Sequence, residues 1–198
     1  PDKLLTAMHR YLAFLSYALN PAMGRFRNFM QYDRTWREQV GSEDSHARTV
    51  WALGETVRRA PTADIRQLAE QLLQRALPAL DKFGHLRPWA YALLGLEEYL
   101  RCENGHETAG RLREALAGRL LQVRLEHATK DWPWWEDCLT WGNAKLPHAL
   151  LVAGRSLGRE DMVSAALESL CWLLDVQTGE DGQVSIVGNQ GWYFRGRP

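Results

Sequence analysis

Asp131-Trp132-Pro133-Trp134-Trp135-Glu136-Asp137-Cys138-Leu139-Thr140-Trp141-Gly142-Asn143 puts four indoles, three carboxylates and an amide into thirteen residues. A core accepts the rings but does not need acids alternating with them. Indole faces stack on the apolar faces of sugar rings, and carboxylates and amides bond the hydroxyls. An acid beside an indole is also a candidate for the raised pKa that a general acid requires. The plainer reading is an aromatic plug for the floor of a domain.

Two further segments carry similar chemistry. In Ser42-Glu43-Asp44-Ser45-His46-Ala47-Arg48, acids follow a Ser at a helix entrance. Asp44 and Arg48 share one face by their i,i+4 spacing. The plainer reading here is a capped helix with a surface ion pair. His46 has no second His or Cys at ligand spacing, so no metal site is expected. Ile186-Val187-Gly188-Asn189-Gln190-Gly191-Trp192-Tyr193-Phe194-Arg195-Gly196 has glycines that admit close backbone approach. Its Asn189, Gln190 and Arg195 can bond hydroxyls or carboxylates; a tight structural turn is the plainer reading. These glycines do not form a phosphate-binding GxGxxG. No nucleophile elbow, zinc motif, Walker loop or kinase set occurs, and no cofactor is expected.

The candidate catalytic acids are therefore Glu43, Asp44, Glu136 and Asp137. The candidate binding residues are His46, Arg48, Asp131, Trp132, Trp134, Trp135, Trp141, Asn143, Asn189, Trp192, Tyr193 and Arg195. A hydrolase would need two carboxyls roughly 5–5.5 Å apart if retaining, or roughly 6.5–9.5 Å if inverting. Arg34, Arg37, Arg48 and Arg195 leave an acidic sugar such as a uronate open, because Arg clamps carboxylates bidentately.

Helices must position these segments. Leu4, Leu5, Met8, Leu12, Leu15 and Leu19 recur at helical spacing over 3–20, and Pro21 ends that run. Residues 22–40 read as an irregular connection or a short helix. Ser42 caps a second helix that closes at Pro61, and Thr62 caps a third to about Leu77. Helices over 87–101 and 107–128 follow, separated by Asn104-Gly105. Beyond the Trp-rich stretch, helices span about 146–157 and 159–177. Alternation in Gln183-Val184-Ser185-Ile186-Val187 predicts a short strand or hairpin near 183–195.

A weak repeat links three helix openings: Arg48 to Gly54, Arg87 to Gly95, and Lys145 to Leu151. Each has a base, a large residue, then Ala-Leu or a close equivalent. That is a mark of stacked helix pairs. The predicted class is all-α, antiparallel helix pairs in an α/α toroid.

The totals narrow the partners. Lys plus Arg equals Asp plus Glu, 24 each, so no net basic field draws in nucleic acid or a membrane surface. No apolar run approaches the roughly 20 residues of a membrane span. The start, Pro1-Asp2-Lys3, is not a signal peptide and reads as a trimmed end. Three cysteines, an odd number at no metal spacing, are expected as free thiols in a reducing, cytoplasmic setting.

Segments 41–54 (GSEDSHARTVWALG), 131–151 (DWPWWEDCLTWGNAKLPHALL) and 186–196 (IVGNQGWYFRG) together resemble bacterial α/α-toroid domains associated with glycosyltransferases. Such domains are six-hairpin-glycosidase-like and are often fused behind, or encoded near, a nucleotide-sugar-dependent glycosyltransferase domain. The resemblance covers most of the chain in order and spacing. It implies a six-pair α/α barrel and a carbohydrate-linked role, with an oligosaccharide or polysaccharide as ligand. A glycosyltransferase domain or subunit is the protein partner it implies. It does not imply sugar transfer by this chain, which lacks the donor-binding α/β domain. Family members continue with further helix pairs past the Gly-Trp-Tyr segment, so a single toroid domain over 1–198, truncated at its C-terminus, is expected. Gly142 stands where the family's pattern often has an acid. The alternatives to a glycan-recognising domain are two. One is a glycoside hydrolase, lyase or epimerase using paired carboxylates. The other is a non-catalytic scaffold that binds protein through a groove lined by Phe26, Phe29 and Trp36.

Overall fold

The computed structural model describes residues 2–188 and 191–196. Seven α-helices occur among them: α1 (Asp2–Ala18), α2 (Glu43–Arg59), α3 (Ala63–Ala76), α4 (Leu86–Leu100), α5 (Glu107–His127), α6 (Lys145–Leu157) and α7 (Glu160–Gln177). Four two-residue strands accompany them: β1 (Leu19–Asn20), β2 (Arg25–Phe26), β3 (Cys138–Leu139) and β4 (Tyr193–Phe194). The class is all-α, with helices packed in pairs. The chain divides into one unit over 1–113 and another over 114–198, the division falling within α5.

In the first unit, α2 packs on α3 and, most extensively, on α4. The repeat explains the second contact. A Cβ added at Gly54 would lie 2.2 Å from the Gly95 carbonyl oxygen, and one at Gly95 would lie 2.6 Å from that of Val50. Only glycine lets the two backbones approach so closely. Beside that crossing, Trp51 and Tyr91 stack with centroids 5.7 Å apart. Val50, Leu53, Val57, Leu93 and Leu96 fill the core between the helices. Ser42 caps α2 as expected, its hydroxyl accepting from the Ser45 N–H at 3.1 Å. Thr62 stands at the N-cap of α3 but makes no cap bond there.

The expected first helix is shortened, and the irregular connection expected over 22–40 is found with a hairpin at its start. Helix α1 stops at Ala18, and β1 pairs antiparallel with β2 through the turn at Pro21–Gly24. The 22–40 stretch therefore begins with a hairpin. The stripe on α1 is only partly covered, with Leu12 buried and Leu4 largely exposed, while the buried Leu19 belongs to β1.

In the second unit, α6 packs antiparallel to α7 with Gly154 at the contact, where a Cβ would lie 2.8 Å from that of Met162. The short strand or hairpin expected near 183–195 is found as the strand β4, with a local bridge from Gly188 to Gly191. Val184 makes a single bridge to Thr178, and the partner of β4 is β3, more than fifty residues earlier. Period-2 alternation marked an extended segment but not its distant partner. Among the described residues, no helix is long and apolar enough to cross a membrane. The three cysteines are free thiols.

Candidate functional site

The 131–143 and 186–196 segments meet in the second unit. Their junction is the β3–β4 ribbon, with Cys138 opposite Phe194 and Leu139 opposite Tyr193. Side chains alternate across a ribbon, so Leu139 and Tyr193 face inward while Cys138 and Phe194 face outward. Leu139 is fully buried, and Tyr193 stacks on Trp132 at 5.7 Å with 12° between planes. Trp132 in turn sets its edge on Trp172 at 4.8 Å. Trp134 lies 5.1 Å from Trp135 and 5.7 Å from Trp172.

This nest is bonded from below. The Trp135 indole N–H donates to the Leu120 carbonyl at 2.7 Å, and that of Trp132 donates to the Glu136 carbonyl at 2.8 Å. The buried Arg124 donates to the Ser169 hydroxyl, which donates to the Pro133 carbonyl, each at 2.7 Å. Asn143 is also buried, its side chain closing a turn by accepting from the Thr140 N–H and donating to the Thr140 carbonyl. Gly142 sits in that turn with φ +62°. The left-handed conformation favours glycine.

The rings accordingly split into two groups. Trp134 and Trp135 are wholly buried and Trp132 nearly so; they form the floor and present no open face. Trp141, Trp192 and Phe194 are 44%, 56% and 40% exposed. Ser185–Gly188 and Gly191–Tyr193 line a cleft of about 620 Å³, with Trp192 on its wall. The cleft's other wall hangs on the end of α7. Ser185 N–H donates to the Gln177 carbonyl at 2.7 Å, and Val187 N–H to the Gln177 side chain at 3.3 Å. Asn189 lies outside the described residues.

Polar groups flank the ribbon. The Arg195 N–H donates to the Asp137 carbonyl at 2.9 Å. Its guanidinium donates to Thr129 Oγ1 at 2.9 Å and the His127 carbonyl at 3.3 Å, and lies 3.5 Å from Asp137 Oδ1. The Asp137 side chain stays 80% exposed. Glu136 is half-buried and Asp131 exposed.

The 42–48 segment lies in the first unit, at the heads of α2 and α4. Arg48 donates to Asp44 at 2.8 Å, as its spacing predicts, and its guanidinium lies 4.4 Å above the Tyr91 ring. Burial pushes the Tyr91 hydroxyl pKa up, against the opposing pull of Arg48. Glu43 accepts from the Gly84 N–H with both oxygens and from His85 Nδ1 at 2.8 Å. His46 is buried between Phe26 and Phe83. Its Nδ1 accepts from the Phe26 N–H, so its Nε2 donates to the Ala76 carbonyl. Burial, and then the nearby Arg25, lower its pKa to about 3. A neutral ring with both nitrogens engaged ties the β1–β2 hairpin to α2 and α3.

Sequence reasoning did not single out His85, Thr129 or Phe194. Gly84-His85 immediately before the Arg87-Pro88 helix opening was the available signal for the first. The other two needed the β3–β4 pairing. Among the described residues, no group of three or more His, Cys, Asp or Glu is placed to hold a metal ion. Compared with known proteins, the chain matches no family model, no curated protein and no solved structure.

Proposed function

We propose that this chain recognises carbohydrate through the ribbon and cleft of its second unit, as the accessory domain of a glycosyltransferase system. The carrying observation is the Trp192 ring, 56% exposed on the wall of a 620 Å³ cleft and next in the chain to Tyr193, which stacks on Trp132. An exposed indole next to an anchored strand offers a flat apolar face, which suits a sugar ring. The exposed Asp137 carboxylate beside the ribbon supplies an acceptor for hydroxyls. The glycosyltransferase association and the α/α-toroid arrangement rest on the resemblance of segments 41–54, 131–151 and 186–196.

Calorimetric titration with an oligosaccharide panel tests this reading. Trp192→Ala removes an exposed ring, so far-UV circular dichroism and the melting temperature should stay near those of the parent chain. Affinity for the bound glycan should fall about tenfold, the equivalent of roughly 1.4 kcal/mol of lost stacking. Equal affinity in the parent and Trp192→Ala, or no binding to any glycan of the panel, would overturn it.

A further inference from the structure

We propose that the first unit carries a binding site for a small organic monocarboxylate, in a cleft between α1 and α3. The two helices pack against each other. Ser16 of α1 and Leu68, Gln71, Leu72, Gln74 and Arg75 of α3 line a cleft of about 450 Å³. That volume falls in the range of small-molecule sites, roughly 300–1,000 Å³. Helical spacing gathers the α3 side chains. Leu68 and Leu72 are four residues apart, as are Gln71 and Arg75, so both pairs lie along one face. Leu72 is buried and Leu68 half-buried, which makes the floor apolar. Ser16 is short, and it leaves open on the α1 side a space that a longer side chain would fill.

Three polar groups converge on that floor with their bonding capacity unspent. Among the described residues, the side chains of Ser16, Gln71 and Arg75 make no hydrogen bond or ion pair, and all three are exposed. Gln74 differs, since its amide nitrogen donates to Glu70 Oε1 at 3.2 Å and to the Tyr99 hydroxyl at 3.0 Å. Among the described residues no acid lines the cleft, and Arg75 is its one cation. A guanidinium donates two parallel bonds to the two oxygens of a carboxylate. The Gln71 amide and the Ser16 hydroxyl can add a third bond or hold a neighbouring hydroxyl, while the leucines take the apolar body of the ligand. A single positive charge matches a monoanion. Arg75 also stands in the last turn of α3, where the helix end adds partial negative charge that works against a phosphate dianion. None of these residues belongs to the proposed carbohydrate site, so the inference stands apart from that reading.

Nitrogen-labelled 198-residue chain is titrated at neutral pH with benzoate and glucuronate, with their uncharged counterparts benzamide and glucuronamide, and with inorganic phosphate. The readout is the Arg75 side-chain Nε–H resonance, assigned with Arg75→Lys. At least one of the two carboxylates should move that resonance saturably, and should bind at least about tenfold more tightly than its amide or than phosphate. Benzoate ahead of glucuronate would mark an aryl or alkyl body, and the reverse order a sugar ring. Arg75→Gln, which removes the clamp, and Ser16→Leu, which fills the cleft and keeps the charge, should each weaken binding at least about tenfold with far-UV circular dichroism unchanged. Trp192→Ala should bind the carboxylate as the parent chain does. An Arg75 resonance unmoved by both carboxylates, equal affinity for acid and amide or for acid and phosphate, or unchanged affinity in Arg75→Gln or Ser16→Leu would overturn the inference.

Discussion

His46 is a buried base without a counter-charge, and that has a consequence for acid stability. Its pKa falls to about 3 in the folded chain, mainly through burial, against about 6.5 when unfolded. Between these values the unfolded chain binds a proton that the folded chain refuses. Stability therefore declines as pH drops below about 6.5, by at most roughly 1.4 kcal/mol per pH unit from this group. Urea unfolding followed from about pH 7 to about pH 4 should show that slope, and His46→Gln, which cannot titrate, should have a shallower one. An unchanged slope in the variant would remove His46 as its source. The sequence alone showed His46 beside two acids at a helix entrance and could not reveal its surroundings, because Phe26, Ala76 and Phe83 come from three other stretches of chain. The Trp-rich segment was legible as a cluster for a simpler reason, its local density. Which rings form floor and which stay open depends on α5, α7 and β4, so Trp134 and Trp192 look equally available until the unit is folded.

Helix α2 and helix α4 meet over Gly54 and Gly95, and the contact is backbone against backbone. Gly54→Ala would place a methyl group 2.2 Å from the Gly95 carbonyl oxygen, with no flexible side chain to give way. The helices must separate, at a cost of about 1–3 kcal/mol. Gly118→Ala in α5 is the control: a Cβ there meets nothing within 4 Å, and a helical Gly→Ala exchange should stabilise by about 0.5–1 kcal/mol. Chemical unfolding of both variants checks the pair; equal effects would mean that the close approach is not what the glycines serve. At this scale the sequence was informative. Apolar periodicity, the Ser42 cap and the helix-ending Pro21 and Pro61 are local signals, and they located the helices to within a few residues. The repeat also anticipated that α2 and α4 correspond. Both strand pairs were missed: β1–β2 is hidden by two-residue strands around Pro21, and β3–β4 by the long stretch of chain between its partners.

The whole chain is electrically balanced, with 24 basic and 24 acidic side chains, so recognition has to be local rather than driven by a long-range field. In the second unit, the Trp132, Trp134 and Trp135 floor fixes the ribbon, the ribbon sets Trp192 and Phe194 outward, and the end of α7 holds the facing wall. The first unit carries the engaged Glu43–His85 and Asp44–Arg48 pairs. The proposed division of labour among the nine indoles can be read directly from their N–H resonances in nitrogen-labelled chain, assigned by single Trp→Phe exchanges. On addition of a glycan that binds, the Trp192 resonance should shift most, while those of Trp134 and Trp135 stay in place. Shifts confined to the first unit's Trp51 and Trp89, or saturable binding that leaves Trp192 unmoved, would contradict the account.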